Sequence, residues 1–116
     1  MKVRSDPRHL NRIKLFKKLF TIGFPGKNSD HPLIQPIINN LPEIDKLIEK
    51  KAPEWPIKKL NKIDLAILRL AIYEIKIEKK APNKVIVDEA VELAKKFGTE
   101  KTSKFVNGVL DSIIKK

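Results

Sequence analysis

The run Asn61-Lys62-Ile63-Asp64-Leu65-Ala66-Ile67-Leu68-Arg69-Leu70-Ala71-Ile72-Tyr73-Glu74-Ile75-Lys76-Ile77-Glu78 decides the fold. Ile63, Ile67, Leu70 and Ile77 recur at helical spacing, and Leu68, Ala71, Ile72 and Ile75 broaden their stripe. A helix apolar over so much of its surface must be enclosed by other elements, because a helix covered on one side shows a narrower band. The spacing therefore predicts a central helix over about 62–78, with Asn61 as its cap.

Toward the C-terminus, Ala81-Pro82-Asn83 breaks this helix. A further helix is expected over about 84–97, with Val87, Val91 and Ala94 as its stripe and Gly98 as its stop. Thr99 or Thr102 opens the last helix, whose apolar side is Phe105, Val106, Val109, Leu110, Ile113 and Ile114. Gly108 lies inside it at a cost of about 1 kcal/mol relative to alanine, and a close helix crossing there is expected to offset that cost. Toward the N-terminus, Ala52-Pro53-Glu54-Trp55-Pro56 marks a boundary, and Trp55 is expected to plug the core between two halves. Leu33 to Lys51 reads as helix interrupted near Pro42. Gly23 to Pro32 reads as loop, and residues 7–22 as a basic amphipathic helix opened by Asp6 and Pro7. No strand alternation and no internal repeat emerges. The expectation is one all-α domain over 1–116. It is a compact helical bundle of two packed subdomains, a basic N-terminal one over about 1–54 and a C-terminal one over about 55–116.

Charge narrows the function. The 116 residues carry 25 basic and 14 acidic groups, a formal charge of +11. Residues 1–27 alone hold eight cations against Asp6. A cationic start on a balanced body is a way to attach a fold to a polyanion. Lysine and arginine neutralise phosphates and release counterions. Arg4, Arg8 and Arg12 are spaced by four, so Arg8 and Arg12 share a helix face and Arg4 continues that line. Lys101 and Lys104 stand beside Phe105, a mixture suited to single-stranded RNA, in which a ring stacks a base. Phe105 reads equally well as a core residue.

Little else in the sequence carries chemistry. With no cysteine there is no disulfide framework, thiolate zinc site or cysteine nucleophile, a composition that fits a reducing cytoplasm. His9 and His31 have no partners at ligand or triad spacing, and Asp88, Glu89 and Glu92 read as a solvated face. No segment approaches the roughly 20 apolar residues of a membrane span. The expectation is a protein that is not an enzyme, with no metal, cofactor, small-molecule substrate or membrane partner.

Three segments then carry a resemblance. Ile63 to Glu74 is one. The second is Val87-Asp88-Glu89-Ala90-Val91-Glu92-Leu93-Ala94-Lys95-Lys96-Phe97-Gly98, and the third is Lys104-Phe105-Val106-Asn107-Gly108-Val109-Leu110-Asp111. In this order and spacing the run from Trp55 to Ile113 resembles the C-terminal half of the NusB family of bacterial transcription antitermination factors. Arg8-His9-Leu10-Asn11-Arg12 is more weakly similar to that family's arginine-rich opening helix. The resemblance implies binding of boxA-type RNA together with the ribosomal protein NusE, in support of ribosomal RNA transcription. It implies RNA contacts at Arg8, Arg12, Lys101, Lys104 and Phe105, and a NusE contact at Asp64 and Arg69. Three departures accompany it. Asp88 stands where the family has asparagine, His9 stands in an arginine position, and the chain before Trp55 is short. The alternatives are a general RNA-binding domain of ribosome assembly and a protein adaptor with a basic surface.

Overall fold

The computed structural model describes residues 6–22 and 32–115. Most of the loop expected over Gly23–Pro32 lies outside them, as does Arg4. Among the described residues there are six α-helices and no strand: α1 (Pro7–Ile22), α2 (Gln35–Ile38), α3 (Leu41–Lys51), α4 (Lys62–Ile72), α5 (Asn83–Phe97) and α6 (Glu100–Ile114). A short 3₁₀ turn, Ile57–Lys59, precedes α4.

Helix α4 is the axle. Every residue from Leu65 to Ile72 is buried, and α4 packs against α1, α3, α5 and α6. One continuous core runs from Phe16 and Leu19 on α1 through α4 to Leu110 and Ile113 on α6. The helix starts are set by short polar side chains that satisfy free backbone donors. Asp6 Oδ1 accepts the Arg8 N–H at 2.9 Å, and Asn61 Oδ1 accepts the Ile63 N–H at 2.7 Å. Of the two candidate openers of α6, Thr99 is the cap. Thr99 and Thr102 form a reciprocal capping box.

The central helix does not run evenly to Glu78. Tyr73–Glu78 widens into a π turn, and the Lys79 N–H reaches back five residues to the Glu74 carbonyl at 2.9 Å. The turn closes on Lys79 in the left-handed region at φ 54°, a strained conformation for a residue with a Cβ. Apolar spacing is blind to this, because one extra residue in a turn leaves the stripe apolar while rotating the downstream residues by roughly 100°.

Two further expectations are corrected. Trp55 does not plug the core: it is 52% exposed, and the enclosed positions around it are Ala52 and Ile57. The proline-bounded loop turns outward between those two anchors. Gly108 sits at no close crossing, since a Cβ built there meets nothing within 4 Å. The crowded glycine is Gly98, where a Cβ would lie 2.6 Å from Thr102 Oγ1 and 2.7 Å from its Cβ. That contact would press on the side chain that closes the α6 capping box.

The same substitution thus has opposite signs at two sites in one hairpin. Gly98→Ala is expected to destabilise the fold by about 1–3 kcal/mol through overpacking. Gly108→Ala is expected to stabilise it by about 0.5–1 kcal/mol by raising helix propensity at an open position. Urea unfolding of the two variants beside the parent measures both.

Candidate nucleic-acid interface

Helix α1 is joined to the body by buried charge as well as by apolar packing. The Arg12 guanidinium forks onto Glu74, with Nε donating to Oε2 at 2.9 Å and to Oε1 at 3.1 Å, and Nη2 donating to Oε1 at 2.8 Å. One turn earlier, His9 Nδ1 lies 2.9 Å from Glu89 Oε1, and Arg12 Nη1 lies 3.8 Å from the same oxygen. Both side chains of the Arg12–Glu74 pair are nearly enclosed, at 12% and 10% exposure. Hydrogen bonding to Glu74 holds the Arg12 pKa above its ordinary value, with burial opposing and the charges of Glu74 and Glu89 adding to the rise.

This geometry revises how the opening arginines are read. Arg8 and Arg12 stand one turn apart, and they do not share an environment. Arg8 is solvated, with 84% of its side chain exposed, and reaches back to Asp6 at 3.2 Å. That contact, with the backbone N–H of Arg8, holds the Asp6 carboxyl below its usual range. Arg12 is turned inward, and its Nε and Nη2 are engaged by Glu74. Glu89 is not part of a solvated face; it is a buried anchor for His9 and Arg12.

A groove of about 730 Å³ runs beside this cluster, lined among others by Arg8, Arg12, Tyr73, Lys80, Asp88 and Glu89. A second, of about 390 Å³, lies between α5 and α6, with Asp88, Lys95, Ser103, Lys104 and Asn107 in its wall. Asp88 borders both, so the exposed side of α5 links the start of α1 to the start of α6. Along this face cations stand beside carboxylates. Lysine and arginine suit phosphate oxygens, and carboxylates suit the amino groups on base edges.

At the α6 end, Lys101 and Lys104 are exposed. Lys104 pairs loosely with Glu100 at 3.6 Å, an exposed i,i+4 contact worth little. Phe105 takes its core character in part. It packs partly buried against the core, and its ring meets Trp55 edge to face, with centroids 6.3 Å apart and planes at 78°.

The remaining two candidates lie on α4. Arg69 is enclosed at 1% exposure and forks onto Asp45 of α3, with Nε to Oδ1 at 3.0 Å and Nη2 to Oδ2 at 2.8 Å. It binds α3 to α4 inside the protein. Asp64 is half-buried in the first turn of α4, near Thr102 of α6. Its Oδ1 is shielded from solvent and has no hydrogen-bond partner. Burial pushes the Asp64 carboxyl above the usual 3.8, and the Thr102 hydrogen bond pulls the other way.

Spacing along the chain had no means of showing the partners of these ions. Glu74 and Arg69 did carry a signal: each is a charged residue inside an otherwise apolar run, a position that demands a buried counter-charge. Glu89 and His9 carried none, because their 80-residue separation is closed only by the fold.

Comparison with known proteins agrees with this architecture. The family model described as "NusB family" matches residues 28–115. The transcription antitermination protein NusB of Thermotoga sp. (strain RQ2) is 38% identical over 131 aligned positions, covering 96% of this chain and 92% of that one. The NusB of Pseudothermotoga lettingae is 50% identical over 113 positions, covering 97% and 74%. The solved T. maritima NusB superposes with a TM-score of 0.80 at 37% identity, covering 97% and 92%. A chain from the crystal structure of the antitermination factors NusB and NusE in complex with double-stranded RNA superposes with a TM-score of 0.78 at 26% identity, covering 91% and 94%.

Two measurements test the electrostatics. Glu74→Ala and Arg12→Ala are each expected to lose about 3 kcal/mol of stability, because each strands the other's buried charge. The double variant is expected to lose well under the sum, which a double-mutant cycle in urea reads directly. Asp64 has a folded pKa above its unfolded value, so folding favours the protonated carboxyl. Stability from this group is fully present below pH 3.8 and is lost as the pH rises through the folded pKa. Asp64→Asn is therefore expected to gain stability relative to the parent as pH rises through that window, seen in unfolding curves recorded from pH 3 to 7.

Proposed function

The chain belongs to the NusB family of transcription antitermination proteins, and we propose that it binds boxA-type RNA jointly with the ribosomal protein NusE, in support of ribosomal RNA transcription. The role is one of assembly, without catalysis: cations hold the RNA backbone while a separate face recruits the protein. The observation that carries this reading is family membership over nearly the whole chain, together with exposed Arg8 and Lys104 on the rim of two grooves that share Asp88.

Within that rim the residues divide by task. Arg8, Lys101 and Lys104 are solvated, and the exposed pairs of Arg8 with Asp6 and Lys104 with Glu100 are weak enough to give way to phosphates. Arg4, which lies outside the described residues, is proposed as a further RNA contact from its spacing in the sequence alone. Arg12 contributes by fixing the helix that displays Arg8, since its own guanidinium is committed to Glu74. Phe105 supports a base contact from a partly buried seat. On the protein side, the NusE contact is proposed for the face of α4 that carries Asp64, and Arg69 steadies that face from within through Asp45. Such an assembly belongs in the cytoplasm, where transcription and ribosomal proteins meet.

Fluorescence anisotropy of labelled boxA-type RNA, a scrambled strand and a duplex, with and without NusE at two salt concentrations, tests the reading. The expected result is a preference for boxA that sharpens when NusE is added. The slope of log affinity against log salt is expected to be shallower by about 0.7 in Arg8→Ala, for one lost contact to a single strand. Equal binding to all three RNAs, unchanged by NusE, would replace it with a general RNA-binding role in ribosome assembly.

A further inference from the structure

Trp55 is the sole tryptophan, and the fold leaves it 52% exposed. A large ring gains most by burial, so a loop that needs only to connect α3 to α4 has no use for one in water. The backbone that carries the ring is restrained. Pro53 and Pro56 restrict the backbone on both sides, and the Trp55 N–H is tied to the Ala52 carbonyl at 3.0 Å. Its neighbour is Phe105, met edge to face at 6.3 Å, which leaves indole surface available beside a second aromatic. Exposed Lys58 and Lys59 follow it in the chain, and exposed Lys101 and Lys104 stand on α6 within a turn of Phe105. Glu54 and Glu100 offset part of this charge and leave it net positive.

We propose that Trp55, braced by Phe105, is a stacking platform for an unpaired base of single-stranded RNA. The inference rests on the RNA-binding reading above and adds to it a residue and a mode of contact. A base has a π-face whatever its identity, so the platform takes a splayed nucleotide with little regard to sequence, while the four lysines hold the flanking phosphates. The restrained loop matters because a backbone already held in place loses little freedom on binding. This accounts for an aromatic pair on the surface, which neither core packing nor charge alone requires.

Because there is a single tryptophan, its fluorescence reports on this site alone. The probes are an unlabelled mixed-sequence RNA dodecamer, the matching abasic ribose–phosphate dodecamer and purified NusE, added to the full-length protein. A labelled form of the RNA dodecamer gives binding by anisotropy in parallel. The expected result is saturable quenching by the RNA and little by the abasic strand. Trp55→Ala is expected to bind the RNA about tenfold more weakly, and Trp55→Phe is expected to restore most of that loss. Circular dichroism verifies that both variants stay folded, as an exposed position predicts. Anisotropy that reports tight RNA binding with unchanged tryptophan emission and an unaffected Trp55→Ala overturns the platform and leaves the RNA reading standing. Absence of RNA binding by the parent overturns both. Quenching by NusE and not by RNA overturns the platform and gives the ledge to a protein partner.

Discussion

The buried pairing of Arg12 with Glu74 is the constraint on which the arrangement depends. A carboxylate withdrawn from water without a counter-charge is expensive, and Glu74 lies in the wide turn that continues the central helix. Its requirement for a guanidinium dictates where α1 must lie. Glu89 repeats the demand one helix away, with His9 as its near neighbour. Apolar packing alone leaves a helix some freedom to rotate or slide, because hydrophobic contact is not directional. Two directional polar contacts, from His9 and Arg12 one turn apart, remove that freedom. They fix which side of α1 faces solvent, and therefore where Arg8 is displayed.

The same logic recurs at Arg69 and Asp45, where a buried fork joins α3 to α4. Both pairs use arginine, whose planar fork matches a carboxylate in two places and so sets orientation as well as distance. Charge in this protein thus works in two ways. Inside, it specifies how helices meet. Outside, on Arg8 and the lysines of α6, it is left to solvent, where exchange of counterions for phosphates is favourable. The +11 total conceals this division, since some of the cations that produce it are already spoken for.

Most of the architecture was legible along the chain. The apolar run from Ile63 to Ile77 announced a central helix, and Asn61, Asp6 and the choice between Thr99 and Thr102 announced helix starts by their cap chemistry; the structure takes Thr99. All three stand where the structure uses them. The failures share a cause. Whether Trp55 is covered, whether Gly108 is crowded and whether Glu89 is solvated depend on which elements approach from elsewhere, and local spacing holds no record of that. The π turn at Tyr73–Glu78 was illegible for a different reason, because its side chains are as apolar as those of the regular helix before it. The surroundings of the candidate residues were legible in part. Lys101, Lys104 and Arg8 were singled out by charge, and they lie in solvent. The partners of Arg12 and Arg69, and the exposed ring of Trp55, required the fold.

The central claim is that the pinned α1 and the opening turn of α6 present one RNA surface across α5. An NMR titration of ¹⁵N-labelled protein with a single-stranded boxA-type RNA tests it most directly. The account predicts that amide shifts at the Arg8 end of α1 and around Lys101 to Phe105 move together, with a common midpoint, while the Asp45–Arg69 region stays still. Shifts confined to one end, or two ends saturating at different RNA concentrations, would contradict it.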